Sequence, residues 1–183
     1  SHTLRSVTGE DPSVVVEELG ARGRGADYGT LVHQVFEAAV NGTLSSDTAA
    51  YVRSLAETMG LGEYAAQATG ELEQFLQSDL WHEVEQSAEV YSEVPFAYPP
   101  PARSDEVVRG TIDLILKTPG GWKIVDFKTH HAGTAAEVET LAELYRHQID
   151  AYAEAWSHIT GEPVVESGLW LTEPARFVSL KPL

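Results

Sequence analysis

The chain has 183 residues, 43% of them hydrophobic, with no cysteine and a formal charge of −16, enough apolar content for one core-bearing domain. The missing thiols exclude disulfides, zinc ribbons and thiolate-bound iron–sulfur clusters, so any metal must be held by oxygen and imidazole. No run of 18 apolar residues and no basic n-region ahead of an apolar h-region occurs, so no membrane partner and no signal peptide are expected, and the acidity argues against a domain that holds nucleic acid by its own positive field.

Residues 1–27 interleave Gly20, Gly23 and Gly25 with Arg22 and Arg24 and read as a linker or arm. From Tyr28 to Val40 the apolar residues Leu31, Val32, Val35, Phe36 and Ala39 keep a 3.6 period that stops at Asn41-Gly42, which predicts an amphipathic helix. Gly29 and His33, four apart, share one face of it, and the glycine leaves room for a backbone or a ligand beside the imidazole. Surface or core packing is the competing explanation of a lone helical histidine. Further helical segments at about 47–59, 63–77 and 79–87, the last opened by Ser78-Asp79 as a capping pair, make up a helical insertion of about 43–87 that reads as scaffolding. Ala88–Tyr98 predicts a strand carrying Glu93 and interrupted at Pro95, hence near an edge or bent there. A Pro-rich loop spans 99–105.

The stretch from Val108 to Thr129 is the chemical centre. Val108–Lys117 is rich in β-branched and aliphatic residues and runs into Thr118-Pro119-Gly120-Gly121, so a β-hairpin returning through Trp122–Lys128 is expected. Side chains two apart on a strand face the same way, which puts Asp126 and Lys128 on one surface. Asp113 lies in the apolar run Thr111–Leu116, where a charge costs several kcal/mol unless it is paired or binds a metal. Two interior-leaning aspartates on neighbouring strands call for a cation between them. The alternative is a surface ion pair between Asp126 and Lys128, worth at most ~1 kcal/mol, with Asp113 facing water at a strand end.

His130 and His131, adjacent in a polar loop, point in different directions and read as solvated. Glu137–Ile159 predicts a long helix closed by Thr160-Gly161, on which Gln148 and Tyr152 are i and i+4. Strands at Val164–Thr172 and Arg176–Leu180 complete the chain. The order gives an α/β fold, a mixed sheet flanked by helices.

Taken together, Gly29-x-x-x-His33, Glu93-Val94-Pro95-Phe96, Gly110-Thr111-Ile112-Asp113, Ile124-Val125-Asp126-Phe127-Lys128-Thr129 and Gln148-x-x-x-Tyr152 resemble the nuclease domain of RecB and AddA in the PD-(D/E)xK phosphodiesterase superfamily. The resemblance implies a restriction-endonuclease-like core over 28–183 with an extra N-terminal helical region. It implies that His33, Asp113 and Asp126, with the backbone carbonyl of Phe127, ligate Mg2+ or Mn2+. It makes Lys128 the catalytic lysine, Glu93 an accessory acidic group, and Gln148 and Tyr152 residues of the substrate groove. Such domains usually close a UvrD-like superfamily-one helicase chain, and no Gly-x-x-x-x-Gly-Lys-Ser/Thr occurs here. A motor elsewhere in the natural chain would deliver single strands of DNA, a second helicase–nuclease subunit is a possible partner, and the location would be cytoplasmic and nucleoid-associated. A stand-alone exonuclease, or a non-catalytic DNA- or protein-binding module, are the alternatives.

Overall fold

The computed structural model describes residues 3–6, 25–100 and 106–180. In chain order the elements are β1 (Thr3–Ser6), α1 (Gly25–Val40), α2 (Thr48–Thr58), a 3-10 turn (Gly62–Tyr64), α3 (Ala65–Leu76), α4 (Asp79–Gln86), β2 (Val90–Tyr98), β3 (Glu106–Thr118), β4 (Gly121–Lys128), α5 (Ala135–Thr160), β5 (Val164–Leu171) and β6 (Arg176–Ser179). The predicted helices, hairpin and closing strands all form. Within the segment expected to be a linker or arm, residues 3–6 are a strand, and the first helix begins at Gly25 rather than Tyr28. Gly20, Arg22, Gly23 and Arg24 of that arm lie outside the described residues, as does the Pro-rich loop from 101 to 105. No helix among the described residues is long and apolar enough to cross a membrane.

One six-stranded mixed sheet runs β1-β3-β4-β5-β6, with β2 on the other edge of β3. β3 pairs antiparallel with β2 and β4, β4 runs parallel to β5, and β1 runs parallel to the start of β3 through Thr3↔Glu106 to Ser6↔Arg109. The parallel β4–β5 pair requires a crossover, and α5 supplies it. Its ends are well specified: Thr134 and Glu137 form a reciprocal capping box, and Gly161 closes the helix in the left-handed region at φ 73°. In the β3–β4 turn Gly121 is obligatory, because a Cβ there would lie 2.3 Å from the carbonyl oxygen of Pro163.

The sheet separates two apolar cores. On one face α1 to α4 pack through Leu31, Phe36, Leu72 and Phe75 onto Leu114, Val125, Phe127 and Trp170; on the other α5 packs through Leu141, Ile149 and Tyr152 onto Ile112, Ile124 and Leu169. The β2–β3 ladder changes face part-way along. Val90, Leu114 and Leu116 pack toward α1–α4, whereas Val94, Phe96, Val108 and Ile112 pack toward α5. The change falls at Glu93 and Asp113, the one rung missing from an otherwise continuous register between Ser92↔Leu114 and Val94↔Ile112. Glu93 has φ 49°, a left-handed backbone that is uncommon for a residue with a Cβ. The break therefore lies at Glu93 and not at Pro95, which stays in the strand opposite Thr111. β2 lies at the sheet edge, as the proline required.

Away from the site, Lys123 is only 3% exposed. Its ammonium lies 2.8 and 2.9 Å from the two oxygens of Glu83, 3.0 Å from Glu166 and 4.3 Å from the Phe177 ring centroid, tying α4 to β5 and β6. Both glutamates are partly exposed, so they rehydrate when the lysine is removed. Lys123→Ala should therefore cost about 2 kcal/mol, less than for a fully buried pair, and Lys123→Met about half of that because the stem is kept. Urea denaturation would measure both.

Candidate functional site

The site forms where β3 and β4 part. Their pairing starts at Thr118↔Gly121 and stops at Leu114↔Val125, so the next rung, Asp113 opposite Asp126, is open. β4 continues to Lys128 along β5 alone. Phe127 then has a backbone N–H and C=O without a ladder partner on β3, and buried groups of that kind must be satisfied elsewhere. The N–H donates to Asp113 Oδ2 at 2.6 Å, and the C=O faces His33 Nε2 at 3.1 Å. The Phe127 side chain fixes this backbone from below, edge-on to Phe36 and Phe75 at 5.0 and 5.6 Å.

His33 arrives from α1. Its Nδ1 is 3.5 Å from Asp113 Oδ1 and 3.6 Å from Glu93 Oε1. One ligand atom from each of His33, Glu93 and Asp113 lies within 4.8 Å of the other two. Gly29, one turn earlier, faces Thr129 just past β4, where a Cβ would make an ordinary contact of 3.4 Å with Thr129 Oγ1. Asp126 and Lys128 form the other half of the site, with Lys128 Nζ 2.7 Å from Asp126 Oδ2 and donating to Gln148 Oε1 at 3.1 Å. A cleft of about 500 Å³ opens beside His33 and Glu93 and runs along α1 past Thr30, Gln34 and Glu37.

The electrostatics follow from three carboxylates in one row of three strands, two of them buried: Asp113 is 6% and Asp126 2% exposed. Burial opposes the charge on His33, but the charge of Asp113 and hydrogen bonds to Asp113 and Glu93 outweigh it and raise the imidazole to about 10. Burial foremost, then the neighbouring Asp113, lifts Asp126 to about 6 against the downward pull of Lys128. Burial likewise works against charge on Lys128, and Asp126 above all holds that amine above the ordinary lysine range. Asp126 Oδ2 is buried without a hydrogen bond of good geometry, its lysine contact notwithstanding. Clustered carboxylates, one imidazole, a free carbonyl lone pair and an under-satisfied buried oxygen suit a hard divalent cation.

The structure brings His33, Glu93, Asp113, Asp126, Lys128 and Gln148 to one region, with rearrangements. Glu93, expected at the periphery, is in the tight cluster with His33 and Asp113, while Asp126 is turned toward Lys128. Tyr152 does not line a groove: it is fully buried, and its hydroxyl accepts from Gln148 Nε2 at 2.9 Å, so it orients that amide. The two loop histidines are not simply solvated. His131 Nδ1 lies 2.8 Å from Glu173, and His130 Nε2 lies 3.4 Å from the Tyr145 hydroxyl. Tyr145, whose ring lies 4.1 Å from Lys128 Nζ, was missed. Its spacing of three from Gln148 on one helix could have found it.

A family model described as the PD-(D/E)XK nuclease superfamily matches residues 4–180, and the chain belongs to that superfamily. Curated relatives, each named as the A subunit of an ATP-dependent helicase/nuclease, bear out the likeness to the RecB and AddA type. The protein of Levilactobacillus brevis is 34% identical over 105 residues, 50% of this chain and 8% of its own. That of Acetivibrio thermocellus is 29% identical over 168 residues, 84% of this chain and 13% of its own. That of Limosilactobacillus reuteri is 37% identical over 75 residues, 39% of this chain and 5% of its own. The chain thus spans a small fraction of the length of these relatives. A solved structure titled "Crystal structure of SSO0001" covers 87% of this chain and 80% of its own at 13% identity and a TM-score of 0.41, too loosely to bear on the site.

Proposed function

We propose that this chain is the divalent-metal-dependent DNA nuclease module of a helicase–nuclease, hydrolysing phosphodiester bonds of strands unwound by a motor domain during double-strand-break processing on the nucleoid. The observation that carries the reading is the meeting of His33, Glu93 and Asp113 within 4.8 Å beside a lysine held over Asp126. His33, Asp113 and Asp126, with the Phe127 carbonyl and Glu93, would hold Mg2+ or Mn2+. When bound, the ion supplies Lewis-acid polarisation of the phosphate and a lowered pKa for attacking water.

The chain's own residues do the rest. Lys128 places a positive charge and N–H donors where negative charge grows on the phosphoryl oxygens in the transition state. Gln148 directs one of those N–H groups, and Tyr152 fixes Gln148. Asp113 holds the Phe127 amide and thereby the carbonyl beside it. The motor is invoked because relatives carry a helicase/nuclease name over far longer chains, and because a domain of charge −16 gains from having its anionic strand delivered. The names of those relatives, which denote one member of an assembly, also motivate a second chain as partner.

Labelled single-stranded DNA should be cleaved in Mg2+ or Mn2+ and left intact with a chelator. Intact DNA under every metal tested would leave a binding module. Metal should also compete with protons. The metal-free imidazole, raised to about 10, is protonated at neutral pH and must release that proton to become a ligand. Mn2+ affinity should therefore rise with pH from 6 to 9, and calorimetry in two buffers of different ionisation enthalpy should report about one proton released at pH 7.

A further inference from the structure

We propose that Tyr145 is the positioning residue for Lys128, its ring forming the wall that keeps the ammonium over Asp126. The inference rests on the nuclease reading for its kinetic arm alone. The Lys128 ammonium meets three groups: Asp126 Oδ2 at 2.7 Å, Gln148 Oε1 at 3.1 Å and the Tyr145 ring centroid at 4.1 Å. Asp126 attracts the charge from below, and Gln148 accepts one N–H from α5. Neither stops a flexible four-carbon stem from swinging outward, and the Lys128 side chain is nevertheless only 14% exposed.

Tyr145 lies three residues before Gln148, so both reach Lys128 from one face of α5, and an aromatic face attracts a cation laid over it. The ring is itself held at its far end. Its hydroxyl is 3.4 Å from His130 Nε2, with the rings 5.7 Å apart. His130 follows Lys128 by two residues, so the loop leaving β4 folds back onto the ring that holds β4's lysine. The order lysine, ring, histidine closes on itself, and displacing the ring would free the lysine and the loop together.

Ring currents make the contact visible. Lys128 is one of four lysines, and Lys117 and Lys123 each lie 4.3 Å from an aromatic ring centroid, of Trp122 and Phe177, serving as internal reports of an intact fold. In the metal-free protein labelled with 13C-lysine, with Lys128→Arg for assignment, the Lys128 ε-CH2 signal should lie upfield. It should stay there in Tyr145→Phe and move to an exposed-lysine position in Tyr145→Leu, with Lys117 and Lys123 unmoved. In cleavage assays at pH 8.5, where Asp126 is ionised without its ammonium partner, Tyr145→Leu should lower kcat about tenfold or more while KM and Mn2+ affinity stay within about twofold, and Tyr145→Phe should restore nearly the full rate. An unshifted Lys128 signal in the wild-type protein overturns the proposal even if Tyr145→Leu fails to fold. A wild-type kcat in Tyr145→Leu overturns it too, as does a Phe variant as impaired as the Leu variant. A wild-type protein that cleaves nothing counts against the nuclease reading, and the spectra still decide the placement of Lys128.

Discussion

Lys128→Ala should reduce turnover on single-stranded DNA by roughly three orders of magnitude at saturating Mn2+, the size of effect that follows when a donor aimed at developing oxyanion charge is removed. The loss should reach metal binding as well. Lys128 lies against Asp126, which burial first and Asp113 second have already raised to about 6 although Lys128 pulls it down. Without the ammonium the Asp126 carboxyl rises further and holds its proton nearer neutrality. Mn2+ affinity in Lys128→Ala should therefore fall below wild type at pH 6.5 and approach it at pH 8.5, whereas the loss of turnover should persist at both. Lys128→Arg keeps the charge opposite Asp126 and should spare metal binding at both pH values. Residual cleavage by that variant would favour an electrostatic role over proton abstraction, since guanidinium does not deprotonate usefully. Wild-type turnover in Lys128→Ala would end the proposed mechanism.

Asp113→Ala should be the most damaging single change to fold and site together. The carboxylate is 6% exposed, accepts from the Phe127 amide and neighbours His33. Truncation strands a buried N–H and removes the nearest counter-charge of the imidazole, at about 2–3 kcal/mol of stability. It should also weaken Mn2+ binding by about a hundredfold or more and abolish cleavage. Asp113→Asn separates the two roles. Its amide oxygen can still accept from Phe127, so the urea midpoint should return most of the way, while metal binding and cleavage remain lost. Wild-type Mn2+ affinity in Asp113→Asn would remove Asp113 from the ligand set.

Much of this architecture was legible in the residues because the strongest signals are local. The 3.6 period of Tyr28–Val40, the capping pair at Ser78-Asp79 and the Pro-Gly-Gly turn before Trp122 each fix an element without help from the rest of the chain. What escaped depends on partners remote in sequence. β1 is four residues long and earns its place only by lying parallel to β3, so no alternation announced it. The positive φ of Glu93 falls where the ladder with β3 changes sides, which no local pattern marks. Tyr152 had the right spacing to meet Gln148, but spacing on a helix does not say which side of a contact is wet; the α5 core swallows that ring. The loop histidines were read by their exposed-looking neighbourhood, and their partners, Tyr145 and Glu173, lie 15 and 42 residues away.

The parting of β3 from β4 after Leu114↔Val125 has a further consequence for how such a domain can be improved. Selection or engineering for thermal tolerance rewards every added rung between neighbouring strands, and the simplest additions here are the pairs from Asp113–Asp126 outward. Completing them would hand the Phe127 amide and carbonyl back to β3 and take them from Asp113 and His33. The vacancy in the ladder is thus the point at which stability and activity oppose each other, and variants that gain heat resistance by zipping this seam should be the ones that lose the ability to cut.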